Sequence, residues 1–381
     1  MSVSPLVVFA HLRWDFVCQR PQHLLSRFAR DRAVVVIEEP LHNPGGVPHW
    51  ERLSPHPGVV IYRPHTPCPA WGFADAQLPH LTMLVERFVR EEQLRRCLLW
   101  MYTPMALPLI DFFEPEVLIF DCMDELSAFD FAPPQLVERE RQLLQRADIV
   151  FTGGPSLYRA KQGQHPNVHL FPSSVDAAHF RRALHGLAEP EDQALLPHPR
   201  LGFFGVIDER MDRPLLAHLA RSHPEWHIMM VGPVVKIDLA TLPQAPNLHY
   251  LGQRSYEALP AYLAGWDVCL LPFARNAATR FISPTKTLEY MAAERPIVST
   301  PIADVQEPYG DIVYLGETPE AFVEACERAL TSSQKDRMQR SEKMRAVLQQ
   351  TSWDATVVAM QSLIQEAWAR KCVFAAPLFA S

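Results

Sequence analysis

The chain has 381 residues, of which 48% are hydrophobic and 21% charged, the proportions of an ordinary globular protein long enough for two domains. Its net charge of −7 argues against a nucleic-acid-binding protein, whose affinity rests on basic surface, and leaves room for a local basic pocket only. Seven cysteines without a C-x-x-C pair argue against a disulfide framework or a zinc site and fit a reducing cytosol. No secretory leader is read at the start, and no run of about 18 apolar residues could span a membrane. The 35 prolines are spread through loops, with no internal repeat or low-complexity tract.

Leu6–Ala10 is a short apolar run that reads as a buried parallel strand. A polar loop follows, and a helix is predicted to begin near Pro21, because proline suits a first turn. The loop therefore sits at the C-terminal end of the first strand, where ligands bind in open α/β sheets. That makes His11, Arg13, Trp14, Gln19 and Arg20 candidates for touching a polar ligand. A loop tied down by its own hydrogen bonds would look the same.

Residues 33–37 read as a second strand. Residues 40–80, rich in Pro, His and Gly, read as an irregular excursion over the ligand cleft, with one strand-like run at 59–62. Residues 81–96 have helical periodicity, and 97–102 and 117–120 are further buried strands. Asp121, Asp124 and Glu125 come directly after the last of these. They are either an acid–base or sugar-binding cluster or acids decorating a helix N-terminus. A helix at 135–146, a strand at Ile149–Thr152, a tight turn, a helix at 157–162 and a strand at 168–171 complete the first half.

Residues 181–199 carry no strand signal, and the domain boundary is placed there. The reading is an N-terminal domain at 1–182, a linker at 183–199 and a C-terminal domain at 200–352. A closing segment at 353–381 has a helix long enough to pack back on the first domain, and the short apolar tail from Cys372 reads as a strap. The second half alternates again, with strands at 201–206, 226–231, 248–251, 268–273 and 296–300 and helices between. Alternation in both halves implies an α/β fold of two doubly wound, Rossmann-like parallel sheets, each with its strand C-termini at one edge. Two such edges facing each other would form a ligand cleft.

The stretch Phe281 to Ala293 carries the most chemistry. Pro284, Thr285, Lys286 and Thr287 lie at a predicted helix start, where free N–H groups and a mobile cation favour a phosphate. Glu289, about one turn in, could accept hydrogen bonds from two neighbouring sugar hydroxyls. Together they suit a nucleotide-sugar, although an ordinary strand–loop–helix with a surface Lys and Glu would also fit.

Four places resemble the GT-B glycosyltransferases, specifically the group 1, GT4-like branch. Val168 to Asp176 resembles the family's strand ending in Pro-Asn-Gly-Val-Asp, and Gly202-Phe203-Phe204-Gly205 with Arg210 its opening donor strand and phosphate loop. The stretch from Leu251-Gly252 to Pro272 and the run Pro284-x-Lys286-x-x-Glu289-Tyr290-Met291-Ala292 resemble its later donor motifs. The first half is similar in architecture, and its loops after Ala10 and Phe120 resemble a bacterial polysaccharide-associated subgroup.

The resemblance implies a hexosyltransferase that moves sugar from a nucleoside diphosphate sugar to a hydroxyl of a glycan or lipid-linked saccharide. The reaction would be retaining and metal-independent. Glu289 would hold the ribose, Thr285, Lys286 and Thr287 the diphosphate or sugar, and Arg210 with Gly205 a phosphate. Asp121 or Asp124 would activate the acceptor, beside the acceptor-side loop from His11 to Arg20. No cofactor and no metal are expected, and the protein would work in the cytosol, with contact to the inner membrane face left open. A GT-B-fold epimerase and a non-catalytic nucleotide-sugar-binding subunit are the alternatives. Three departures from the family pattern bear on them. Val206 replaces the usual Arg, Phe281 the first Glu of a paired motif, and Glu294 a glycine.

Overall fold

The computed structural model describes residues 4–375, so the last part of the expected C-terminal strap lies outside the described residues. The chain divides into two compact units, one of residues 1–127, 131–172 and 354–381, the other of residues 128–130 and 173–353. The division falls at 172/173, ahead of the strandless stretch. Ala177–Arg181 is a helix of the second unit, with Phe180 buried in that unit's core.

The first unit holds strands β1 (Leu6–Ala10), β2 (Val34–Glu38), β3 (Leu41–His42), β4 (His49–His56), β5 (Val59–Thr66), β6 (Leu98–Met101), β7 (Val117–Cys122), β8 (Ile149–Thr152) and β9 (Val168–Leu170). They form one sheet in the order β3-β5-β2-β1-β6-β7-β8-β9. The central strands are buried on both faces, which is why they read as unbroken Val, Ile, Leu and Phe. All pairs are parallel except β4 with β5.

That hairpin corrects the reading of residues 40–80 as irregular. β4 pairs with β5 alone and is largely exposed, so it needs no apolar face, and Pro55 falls where its register slips. The helix Trp353–Ala375 joins this unit through Asp354, which pairs with Arg27 and Arg30, and through Lys371, which pairs with Asp148.

The second unit holds β10 (Arg200–Phe204), β11 (His227–Val231), β12 (Leu248–Gly252), β13 (Val268–Leu271), β14 (Ile297–Ser299) and β15 (Tyr314–Leu315), all parallel, in the order β12-β11-β10-β13-β14-β15. The two-residue β15 was too short to show periodicity. Gly202 sits in β10 because Trp266 packs flat against it, where a Cβ would overlap the indole. Glu294 follows the helix Lys286–Ala292 at φ +50°, the left-handed position where a glycine usually stands. Arg345 holds its carboxylate with two hydrogen bonds of 2.7 and 2.6 Å, which ties the substitute residue down.

Candidate functional site

At the C-terminal edge of the second sheet, β10 gives way to Gly205 at φ +135° and β11 to Gly232 at φ +149°. A Cβ at Gly232 would collide with the Gly205 carbonyl, so the glycine pair lets two loops run side by side. The Ile207 N–H donates to Pro233 O at 2.9 Å, and the Val235 N–H donates to Ile207 O at 3.0 Å.

The helix Lys286–Ala292 is seated on this edge by Tyr290, whose buried hydroxyl accepts the Phe204 N–H at 3.1 Å. Lys286, its first residue, lies across Gly205, where any Cβ would overlap its Cε. Its ammonium stands 5.6 Å from the centre of the Phe203 ring. Glu289, one turn on, is partly buried, and no described residue hydrogen-bonds its carboxylate. Burial pushes that carboxyl up to about 7, with Lys286 pulling the other way. A carboxylate held without a protein partner beside an ammonium is equipped to accept hydroxyl hydrogens.

The other second-unit candidates divide. Pro284 and Thr285 are half-buried beside Lys286, and the Thr285 side chain caps nothing. Thr287 is a correction, because it is fully buried with its hydroxyl unpartnered, on the core side of the helix rather than the ligand side. Arg210 is gripped by Asp208, with Nε 2.9 Å from Oδ1 and Nη2 2.7 Å from Oδ2. Asp208 is buried, so this pairing offsets much of the charge that Arg210 could offer a phosphate.

In the first unit the structure brings together two candidates that lie far apart in sequence, and it uses them on each other. Arg20 donates from Nε and Nη2 to the two oxygens of Asp121, each at 3.0 Å, and from Nη1 to Phe171 O at 2.7 Å. Arg20 is 2% exposed and Asp121 0%, and Asp121 lies within β7 rather than after it. Burial pushes the Asp121 carboxyl above its ordinary value while Arg20 pulls it down. The acid–base reading of Asp121 and the ligand-side reading of Arg20 give way to a buried clamp joining β7, the loop after β9 and the first helix.

Glu125 is likewise used, by Lys161, whose Nζ stands 2.7 Å from it and 2.9 Å from Glu140. Asp124 is half-buried and lines a cavity of about 10 Å³ together with Tyr102, Cys122 and Glu140 among others.

The loop after β1 is tied down by its own bonds, the alternative that its composition had left open. The Trp14 N–H donates to Glu38 at 2.7 Å, and Gln22 donates to Trp14 O and Val17 O at 2.9 Å each. Arg13 reaches Glu39 O and Pro40 O at 3.5 Å, and the Gln19 N–H donates to Gln22 at 3.0 Å. His11 is half-buried at the end of β1. Asp208, Glu38 and Lys161 are partners that the sequence did not reveal, because each pairing depends on tertiary proximity or local loop geometry. Among the described residues, no group of three His, Cys, Asp or Glu is placed to hold a metal. No described helix is long and apolar enough to cross a membrane.

Two parallel-sheet α/β units, with glycine-turned loops at a strand edge, define the architecture, and comparison with solved structures agrees. An E. coli structure titled trehalose-6-phosphate bound with UDP-2-fluoro glucose superposes with a TM-score of 0.70 at 14% identity, over 95% of this chain and 99% of that one. Sucrose-phosphate synthase from Thermosynechococcus elongatus gives 0.70 at 14%, over 97% and 100%. Anabaena HepE in complex with UDP and glucose gives 0.69 at 12%, over 96% and 100%. The chain has the GT-B fold.

More particularly, residues 198–332 match the model of the family described as glycosyl transferases group 1. TuaH of Bacillus subtilis (strain 168), named as a teichuronic acid biosynthesis glycosyltransferase, is 25% identical over 258 residues. The match spans 62% of this chain and 64% of that relative's length.

Proposed function

We propose that the protein is a glycosyltransferase that moves a sugar from a nucleoside diphosphate sugar to a hydroxyl of a glycan or lipid-linked saccharide. The observation that carries the reading is the pairing of Lys286, laid across Gly205, with the unpartnered carboxylate of Glu289 inside the stretch that matches the group 1 glycosyltransferase model. In this reading Glu289 accepts hydrogen bonds from the two ribose hydroxyls, and Lys286 faces the diphosphate. Transfer breaks the bond between the anomeric carbon and the β-phosphate oxygen, and the charge left on the diphosphate must be stabilised. Lys286 supplies the compensating positive charge without a metal, helped in part by Arg210. The acceptor oxygen takes the anomeric carbon with retention of configuration. In this reading Asp124 takes its proton.

Polysaccharide assembly is the setting, as for the teichuronic acid relative, and the place is the cytosol, in contact with a membrane when the acceptor is lipid-linked. The test is release of free nucleoside diphosphate that depends on an acceptor. An epimerase would leave the nucleotide sugar intact. A non-catalytic subunit, favoured by Phe281 and Val206, would bind the nucleotide sugar without turnover against any acceptor.

A further inference from the structure

We infer that Lys236 completes an anion-binding site on the donor unit and binds the diphosphate in place of the arginine that Val206 displaces. The inference rests on the donor reading above and adds a residue to it. A nucleoside diphosphate carries at least two negative charges, and a site that stabilises its departure needs cations aimed at it. The loop after β10 offers Arg210, which Asp208 already grips with two oxygens. The loop after β11, from Gly232 to Asn247, contains a single cation, Lys236.

Three observations set Lys236 apart. First, its backbone sits at φ +62°, a left-handed conformation that a lysine adopts only when its surroundings impose it. Second, its ammonium makes no hydrogen bond to a described residue. Its nearest carboxylate, Glu209, lies 3.8 Å away, and the ring of Phe129, in the stretch 128–130 of the same unit, has its centre at 4.9 Å. Third, the Glu209 side chain is 8% exposed, and neither of its carboxylate oxygens has a hydrogen-bond partner among the described residues. A buried carboxylate in that state is costly, and Lys236 is the counter-charge that holds it.

The placement follows from the backbone. Gly232 packs on the Gly205 carbonyl, and Ile207 pairs with Pro233 and Val235 on the way to Lys236. Lys286 lies across the same Gly205. The two lysines thus come from the loops on either side of the Gly205 turn. Glu209 at 3.8 Å and the Phe129 ring at 4.9 Å hold the Lys236 ammonium, and its side chain is 47% exposed, so N–H donors remain for an anion. Lys236 acts by direct contact with phosphate oxygens, and Glu209 is a positioning residue.

The experiment is calorimetric titration of the full chain with inorganic pyrophosphate and with UDP, GDP, ADP, dTDP and their monophosphates. It compares the wild type with Lys236→Ala, Lys236→Arg, Glu209→Gln and the Glu209→Gln/Lys236→Ala double variant. Loss of a charge-assisted contact should weaken diphosphate binding about tenfold or more in Lys236→Ala, weaken monophosphates less, and be largely restored in Lys236→Arg. Glu209→Gln should change diphosphate affinity only when Lys236 is present, the coupling expected of a positioning residue. An equal change in both backgrounds would remove Glu209 from the proposal.

If the wild type binds a nucleoside diphosphate and Lys236→Ala binds it as tightly, the Lys236 site is refuted and the donor reading stands. If the wild type binds pyrophosphate but no nucleotide, and Lys236→Ala loses it, the anion site stands and the donor reading fails. Binding of neither overturns both.

Discussion

Replacing Glu289 with glutamine separates the two consequences of its placement, one for stability and one for binding. Its carboxyl is raised from 4.5 to about 7, chiefly by burial. The folded protein therefore holds a proton that the unfolded chain has released, so stability is full below the unfolded value and is lost as pH rises from about 4.5 through about 7. At roughly 1.4 kcal/mol per pKa unit, keeping Glu289 ionised costs up to about 3 kcal/mol at alkaline pH, less to the extent that water reaches its partly exposed side chain.

Glu289→Gln should thus be more stable than the wild type near pH 8 and indistinguishable from it near pH 4, by denaturant unfolding. Binding should move the opposite way. If the carboxylate accepts two ribose hydroxyls, wild-type donor affinity should fall about tenfold per pH unit below about 7. The variant should bind more weakly at pH 8, by tenfold or more, with a flat profile. A variant less stable than the wild type at pH 8, or one that binds donor with unchanged strength and slope, would refute the reasoning.

Lys286→Ala should weaken nucleoside diphosphate binding about tenfold in calorimetry while leaving the melting temperature nearly unchanged, because its ammonium lies across a surface turn. Gly205→Ala should both destabilise the protein and weaken donor binding, since at φ +135° the new Cβ is strained and pushes Lys286 aside; thermal unfolding and titration together would show it. Asp121→Asn should cost about 3–5 kcal/mol in unfolding free energy by leaving the Arg20 guanidinium buried without its counter-charge. A paired replacement, Arg20→Met with Asp121→Leu, should cost far less stability than Asp121→Asn, because it leaves no buried charge unpaired.

The alternation of strands and helices was legible because both sheets are buried on two faces, which turns β1, β6, β8, β10 and β13 into short apolar runs bounded by turns. The exposed edge was not legible. β4 carries polar side chains and a proline, and β15 is too short for any period. Lys286 and Glu289 were found from their spacing at a strand–loop–helix junction, which is local information. Arg20 with Asp121 was missed because a charged pair separated by 101 positions leaves no trace in either segment. A buried clamp and a catalytic cluster at a strand end are written with the same residue types, and only packing separates them. Thr287 shows the same limit within one helix turn, since which face of the helix met the core was not fixed by the motif.

The account turns on the donor site, and thermal unfolding of the full chain with UDP, GDP, ADP, dTDP and their sugars, with and without magnesium, tests it most directly. The account predicts that one nucleoside diphosphate, at 100 times its Kd, adds about 2.7 kcal/mol of stability, and that magnesium leaves the gain unaltered. Stabilisation by none of them, or only when magnesium is present, would contradict a site that holds the diphosphate with Lys286 and its neighbours.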